Sequence, residues 1–214
     1  MTPPMLPLLR GTILGVIALI FGVAIALAWR GGDRVPVEAG VLWPPAPGVP
    51  DFSLLDHTGT AFGRSRLLGS WHLVFFGYTH CPDVCPMTLG VMRELAARLE
   101  RAPAAVPLGF LFVSVDPARD TPEVLRDYLA WFSPRFIGLT GPEANIAGLA
   151  QALGIAWVPP RQQPDGEYLV DHSAAVLLLD PEGRLVGLYQ PPFSADVLET
   201  SLRSATRFLS QHIR

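Results

Sequence analysis

Beyond residue 50 the chain alternates between continuous apolar runs of strand length and segments whose apolar residues recur every three or four positions. The runs 72–78 and 109–115 are typical of strands buried on both faces of a sheet. Leu89, Met92 and Leu99 follow the period of an amphipathic helix. Predicted strands cover 52–55, 72–78, 109–115, 136–139, 174–179 and 184–189, and predicted helices cover 86–99, 123–132, 142–153 and 194–209.

The order of these elements predicts an α/β fold. Strands that alternate with helices build helical layers on a sheet, and the turn 180–183 joins the last two strands into an antiparallel hairpin. The sheet is therefore expected to be mixed. A cysteine pair at the turn between the first central strand and its helix makes the arrangement resemble a thioredoxin-like fold. We predict such a domain over 51–214, with a mixed central sheet flanked by helices.

Residues 11–29 contain no charged side chain and lie between Arg10 and Arg30. At about 1.5 Å per residue, a helix of this length spans a hydrocarbon core of roughly 30 Å. We predict an N-terminal transmembrane helix at 11–29, after a short tail at 1–10. The small residues at 26–28 resemble a signal-peptide cleavage site, but the run exceeds the roughly 7–15 apolar residues of such a signal. The Gly- and Pro-rich stretch 30–50 predicts a linker.

The composition agrees with a membrane segment. Of the 214 residues, 50% are hydrophobic and 16% are charged, a low charged share for a soluble protein. The formal net charge is −3, and neither a basic block nor zinc-finger spacing is present. No nucleic-acid partner is therefore expected. Because an anchor precedes the domain after a very short tail, the domain is predicted to lie outside the cytoplasm.

The chain has two cysteines, Cys81 and Cys85, separated by three residues. They follow a predicted buried strand and precede Pro86, which fits the first position of a helix. The positive end of that helix stabilises a thiolate, which is both a nucleophile and a metal ligand. Thioredoxin-type redox motifs have two intervening residues. The longer loop lets both sulfurs point at one ion, but it does not forbid a disulfide.

A third ligand is expected, because two cysteines are too few for tetrahedral structural zinc. His172 is the candidate: in a thioredoxin-like fold, the loop entering the 174–179 strand lies across from the cysteine loop. Two thiolates and one imidazole suit copper in either oxidation state. Asp171, and Asp83 within the cysteine loop, are predicted to support the ligands without binding the ion. His80 is a competing ligand, but it is predicted to face solvent. His57, His72 and His212 are predicted to be surface residues.

The segment 113–122 follows another central strand at its carboxyl end, where sites in open α/β sheets collect. Asp116 and Arg119 are candidates for an ion pair that braces the cysteine loop. Asp120 and Thr121 are predicted to serve the start of the next helix, with Thr121 as the N-cap. A structural role for this segment is favoured over direct catalysis.

Four segments closely resemble the Sco/SenC family: FFGYTHCPDVCP, FVSVDPARDTP, FIGLTG and YLVDHS, in this order and at suitable separations. The resemblance covers roughly residue 50 to the C-terminus plus the anchor. It implies a chaperone that delivers copper to the dinuclear CuA centre during cytochrome c oxidase assembly. One Cu(I) or Cu(II) ion per chain is then held by Cys81, Cys85 and His172. The implied location is the bacterial inner membrane, single-pass, with the domain facing the periplasm.

The implied partners are the copper-bearing subunit of the oxidase, other copper chaperones and thioredoxin-like reductants. Two functions compete with metal delivery, which is not itself an enzymatic activity. The first is a thiol-disulfide oxidoreductase that keeps oxidase cysteines reduced, with Cys81 and Cys85 cycling between dithiol and disulfide. The second is a thiol peroxidase with Cys81 as the peroxidatic residue and Cys85 as the resolving one. Against the first stand the cysteine spacing and the absence of a proline directly before the 174–179 strand, and against the second stand the closely spaced second cysteine and the DHS segment.

Overall fold

The computed structural model describes residues 15–25, 40, 46–101, 107–158 and 168–212. The chain divides into two compact units, Met1–Val35 and Pro36–Arg214.

The described part of the first unit is one helix, α1, over residues 15–25. Its large apolar side chains are exposed, with Leu19 and Phe21 each 68% accessible. The predicted anchor at 11–29 extends past the described residues at both ends, and the predicted tail at 1–10 lies outside them. Within the described residues, no helix is both long enough and apolar enough to cross a membrane.

The second unit contains seven strands and four α-helices in its described residues. A short 3-10 turn, Arg64–Arg66, follows the second strand. The strands are β1 (Ser53–Asp56), β2 (Ala61–Gly63), β3 (Trp71–Gly77), β4 (Leu108–Ser114), β5 (Phe136–Thr140), β6 (Val176–Leu179) and β7 (Leu185–Tyr189). The helices are α2 (Val84–Arg101), α3 (Pro122–Ala130), α4 (Glu143–Ala152) and α5 (Ala195–His212).

All seven strands form one mixed sheet in the order β2-β1-β5-β4-β3-β6-β7. Strand β4 pairs in parallel with both β3 and β5, whereas β6 is antiparallel to β3 and to β7. Every residue of β3 is buried, as its uninterrupted apolar sequence predicts. Because β3 and β4 run parallel and side by side, the loops that follow them emerge at the same edge of the sheet. The cysteine loop and the 113–122 segment therefore meet there.

Helices pack against the sheet and against each other. Helix α3 packs against β5, and α2 packs against α5. Arg98 of α2 joins the last pair by ion pairs to Asp196 and Glu199 of α5. Thr121 caps α3 by accepting a hydrogen bond from the Val124 N–H, and Pro122 is its first residue. The predicted α/β architecture and this cap are confirmed.

Most element boundaries differ from the predicted ones by one or two residues. Helix α2 begins at Val84, two residues before Pro86, because the loop already offers a sulfur acceptor to the Cys85 N–H. Strand β6 begins at Val176 rather than at 174. Residues 46–49, at the end of the predicted linker, hydrogen-bond through Ala46 and Val49 to the backbone at 183–185. Most of the linker, 30–39 and 41–45, lies outside the described residues.

Candidate metal centre

Three side chains from distant parts of the sequence converge at the carboxyl end of β3. The sulfurs of Cys81 and Cys85 and a ring nitrogen of His172 all lie within 4.8 Å of one another. The Nε2 atom of His172 is 3.4 Å from the Cys85 sulfur. Among the described residues, this is the one group of His, Cys, Asp or Glu side chains spaced to share a metal ion. The structure thus brings together the three ligands predicted from the sequence.

The two cysteines are placed by local backbone geometry. The chain turns sharply after β3, where the Cys81 N–H donates to the carbonyl of Tyr78 at 3.2 Å. The Cys81 sulfur in turn accepts from the Cys85 N–H at 3.4 Å, in the first turn of α2. A helix leaves its first N–H groups without backbone partners, and here a cysteine sulfur takes one of them. Both cysteines are free thiols, with Cys85 fully buried and Cys81 9% exposed.

Gly77 makes the space that the Cys85 sulfur occupies. A Cβ atom at this position would lie 2.9 Å from that sulfur and 2.9 Å from the ring of Phe112. Neither neighbour can retreat easily, because both side chains are buried in the core. A glycine at the end of β3 is therefore required for the sulfur to sit beneath the loop.

Asp120 braces the cysteine loop from the loop that follows the neighbouring strand β4. Its carboxylate accepts hydrogen bonds from the Thr79 N–H at 3.1 Å and the Thr79 hydroxyl at 2.6 Å. It also accepts from the Ser114 hydroxyl at 2.6 Å. The side chain is completely buried, and this burial raises the pKa of Asp120 against the opposing effect of these donors. The hydrogen bonds that brace the cysteine loop are therefore made by Asp120 and not by the predicted pair, Asp116 and Arg119.

His172 lies outside the named strands, in an isolated antiparallel bridge with Trp157. Its Nδ1 faces the carbonyl oxygen of Ser173 at 3.0 Å, which leaves Nε2 directed at the sulfurs. The rings of Phe75 and Tyr78 contact the imidazole edge-on, with centroids 6.1 and 5.8 Å away. A backbone carbonyl and two aromatic rings thus set the orientation of the imidazole.

Comparison with known proteins identifies the relatives of this chain. The family model described as SCO1/SenC matches residues 44–207. The chain belongs to the SCO1/SenC family. The SCO2 homologue of Bos taurus mitochondria is 37% identical over 196 residues, covering 88% of this chain and 73% of that protein.

Solved structures of SCO1/SenC proteins agree with the fold. Arabidopsis thaliana ScoI with copper bound matches with a TM-score of 0.69 and 33% identity, covering 76% of this chain and 99% of that one. Bradyrhizobium japonicum ScoI with copper bound matches with a TM-score of 0.66 and 34% identity, covering 74% and 99%. The predicted thioredoxin-like arrangement, a mixed sheet flanked by helices, is thereby confirmed for this SCO1/SenC domain.

Burial sets the charge state of the SCO1/SenC site before any ion binds. Desolvation raises the pKa of the Cys85 thiol, because the thiolate form loses its water in the core. Desolvation likewise lowers the pKa of the His172 imidazole. At neutral pH the metal-free site therefore holds a protonated Cys85 and a neutral imidazole. A metal ion that binds here must displace the Cys85 proton.

The donor set suits a soft metal ion. Two sulfurs and one imidazole nitrogen match the preferences of Cu(I), and the same ligands also accept Cu(II). A structural zinc ion takes four protein ligands as a rule, and the cluster offers three. The chemistry of these residues therefore fits the copper that the family resemblance implies.

The carboxylates predicted to support the ligands, Asp83 and Asp171, are both exposed. The Asp83 carbonyl accepts from the Met87 N–H in α2, and the Asp171 carbonyl accepts from Val158. The charge of Asp171 acts to raise the pKa of His172, against the larger effect of burial. Their support of bound metal stays a prediction.

The other histidines lie apart from the metal cluster. His80 is exposed, as predicted, and its Nδ1 is 3.1 Å from the Thr79 hydroxyl. The surface prediction for His72 is wrong: it is 6% exposed, with Nε2 3.1 Å from the Leu67 carbonyl. It is buried because β3 is covered on both faces from its first residue. His57 is half-buried and its Nδ1 accepts from the Gly138 N–H, and the side chain of His212 lies outside the described residues.

Sequence reasoning missed Gly77 and Tyr168, and it assigned Asp120 to the helix start. A glycine four residues before a cysteine loop gives no local signal, because its role depends on a sulfur eight positions later in the chain. A carboxylate at the carboxyl end of a buried strand was the available sign for Asp120. The predicted pairing of Asp116 with Arg119 is confirmed.

Proposed function

We propose that this SCO1/SenC protein is a copper metallochaperone that delivers copper to the CuA centre during cytochrome c oxidase assembly. It binds one Cu(I) or Cu(II) ion per chain through Cys81, Cys85 and His172. The observation that carries the proposal is the convergence of two thiols and one imidazole within 4.8 Å. Copper in the solved structures of relatives from Arabidopsis thaliana and Bradyrhizobium japonicum supports it.

Unequal exposure of the ligands suits transfer rather than permanent retention. Cys85 is fully buried, Cys81 is 9% exposed and His172 is half-buried. A partner thiol or imidazole approaches most easily from the His172 side and last at Cys85. Copper then leaves by stepwise ligand exchange, with Cys85 as the final ligand to let go. Soft ligands of this kind exchange readily with the cysteines of an acceptor.

The proposed setting is the bacterial inner membrane, with residues 11–29 as a single-pass anchor and the domain facing the periplasm. The exposed apolar side chains of α1 support this, because such a surface is stable in lipid and costly in water. The proposed partners are the copper-bearing subunit of the oxidase, other copper chaperones and thioredoxin-like reductants.

The test is copper stoichiometry of the full-length chain, purified in detergent and loaded with Cu(I) without oxygen. We expect one copper per chain, lost in Cys85→Ser and strongly weakened in His172→Ala, by about 10–100-fold or more. His80→Ala is the matched control, since this exposed histidine adjoins Cys81 without joining the cluster. Copper binding unchanged by His172→Ala would break the proposed ligand set.

A second candidate, thiol-disulfide reduction of the oxidase cysteines, is favoured by one observation: both cysteines are free thiols with neighbouring sulfurs. In that reaction the dithiol gives two electrons to a partner disulfide and becomes a disulfide itself. The cysteine spacing weighs against it, because thioredoxin-type redox motifs have two intervening residues and this chain has three. A chain that binds no copper but reduces a protein disulfide catalytically would establish this function instead.

A further inference from the structure

The segment that carries His172 is held in two different ways. Its downstream half is held by backbone hydrogen bonds: the Val158 N–H donates to the Asp171 carbonyl at 3.1 Å, and the Ser173 N–H donates to the Ala156 carbonyl at 3.0 Å. These bonds attach it to residues 156–158, which are themselves outside the named strands. The upstream half, residues 168–170, is held by side chains of the rest of the domain.

Three side chains form what we call the Asp116–Arg119–Tyr168 clamp. Arg119 pairs through Nε with the fully buried carboxylate of Asp116. Its Nη2 donates to the backbone carbonyl of Tyr168 at 3.2 Å, and its guanidinium lies over the Tyr168 ring, 3.7 Å from the centroid. The Tyr168 hydroxyl donates to the second oxygen of Asp116 at 2.7 Å. The clamp therefore ties the histidine segment to the loop between β4 and α3.

Tyr78 connects the clamp to the imidazole. The Arg119 guanidinium is 5.7 Å from the centroid of the Tyr78 ring. The Tyr78 hydroxyl accepts a hydrogen bond from the Val170 N–H at 3.3 Å, and its ring meets His172 edge-on at 87°. Tyr78 also offers its carbonyl to Cys81. One residue at the end of β3 thus touches the clamp, the histidine segment and the cysteine loop.

We propose that the clamp positions His172 and so decides whether copper is held by three ligands or by the two cysteine sulfurs alone. Arg119 fits this task because a planar guanidinium pairs with a carboxylate, donates to a carbonyl and stacks on a ring at once, which a lysine ammonium cannot do. Opening the clamp releases His172, whereas the cysteine loop stays in place because Asp120 holds it by hydrogen bonds. The part concerning copper rests on the proposed function.

The first experiment needs no metal: amide hydrogen exchange of the full-length chain in detergent, with Tyr168→Phe and Arg119→Lys. We expect exchange at Val170 to speed up about tenfold, as the loss of one or two hydrogen bonds gives. Amides of β3 and β4 should keep their protection. Arg126→Lys is the matched control, because this exposed arginine of α3 pairs with its neighbour Asp127. Unchanged exchange at Val170, or equal loss throughout the core, would overturn the proposal.

The second experiment measures Cu(I) affinity in a chelator competition and the electron paramagnetic resonance spectrum after Cu(II) loading. Both clamp variants should lower the affinity about tenfold and shift the Cu(II) spectrum toward that of His172→Ala. In the His172→Ala background, the same clamp variants should cause no further loss. An equal loss in that background would show that the clamp acts on the whole domain instead. If the unaltered chain binds no copper, the proposed function fails, and the exchange result alone decides on the clamp.

Discussion

The cysteine loop and the histidine segment of this site differ in how the chain holds them. The cysteine loop connects a fully buried strand to an 18-residue helix, so regular structure fixes both of its ends. The histidine segment lies outside the named strands and depends on side-chain contacts and a single bridge with Trp157. Regions with few backbone ladders open more easily than the core of a sheet. The site therefore combines a firmly placed pair of sulfurs with an imidazole that is easier to release.

That contrast suits the copper transfer proposed for this chain. A ligand that leaves first should be the one whose withdrawal costs the fold least. Moving Cys85 would disturb a core position that is 0% exposed, whereas moving His172 disturbs a half-buried segment at the surface. The order of ligand exchange is thus expected to follow local stability, with His172 leaving before the cysteines.

Removing the brace of the cysteine loop tests most strongly whether this loop is held more firmly than the histidine segment. Asp120→Ala leaves the half-buried donors of Thr79 and the buried hydroxyl of Ser114 without their acceptor. We expect the free energy of unfolding to fall by about 3 kcal/mol, since each buried unsatisfied group costs about 1–3 kcal/mol. Denaturant unfolding measures this. Asp127→Ala, an exposed carboxylate of α3, should change it by less than about 1 kcal/mol.

Suppose that Asp120→Ala speeds amide hydrogen exchange only in the loop around Thr79 and leaves the free energy of unfolding unchanged. The cysteine loop would then be as independent of the core as the histidine segment. In that case the contrast would fail. Tyr168→Phe is the matching test of the histidine segment. It should speed amide hydrogen exchange at Val170 with little change in the free energy of unfolding.

The second test fills the space beneath the sulfur. Gly77→Ala places a Cβ 2.9 Å from both the Cys85 sulfur and the Phe112 ring. Overpacking of this kind costs about 2 kcal/mol, and the displaced sulfur should weaken copper binding. Gly90→Ala is the control, because a Cβ at that position in α2 meets nothing within 4 Å. The control should keep or slightly raise stability, because alanine is the better helix former. Equal stability of the two variants would contradict a tight sulfur site.

The smallest effect that we expect is a loss of folding stability in acid caused by His72, on the strand that leads into the cysteine loop. Burial lowers the pKa of His72, and its Nδ1 has no hydrogen-bond partner among the described residues. The folded state therefore binds this proton more weakly than the unfolded state. The resulting stability is fully present above the ordinary histidine pKa of about 6.5 and is lost as pH falls through that value toward the lowered native one.

The slope in that window is at most about 1.4 kcal/mol per pH unit for one proton. Denaturant titrations from neutral to mildly acidic pH measure it, and His72→Gln should flatten the contribution of this residue. His80→Gln is the control, since His80 is exposed. A slope that survives His72→Gln unchanged would assign the acid sensitivity to another group.

Much of the fold follows from local patterns in the sequence. The apolar runs at β3 and β4 and the Thr121–Pro122 cap predicted elements that the structure contains. The start of α2 differed by two residues, because Cys81 caps the helix through its sulfur, a contact that no propensity describes. His72 was misplaced because a polar residue at a strand end gives no sign of which neighbours will cover it.

Local sequence patterns predicted the alternation of strands and helices, the cysteine pair at a strand-to-helix turn and His172 as the third ligand. These depend on spacing within a few residues or on motifs read along the chain. The tertiary structure was needed to show that Gly77 makes room for a sulfur, that Asp120 braces the cysteine loop and that Arg119 and Tyr168 hold the histidine segment. Such roles arise between residues as far apart as 52 positions, because the folding of the sheet, and no local rule, sets which loops meet at its edge.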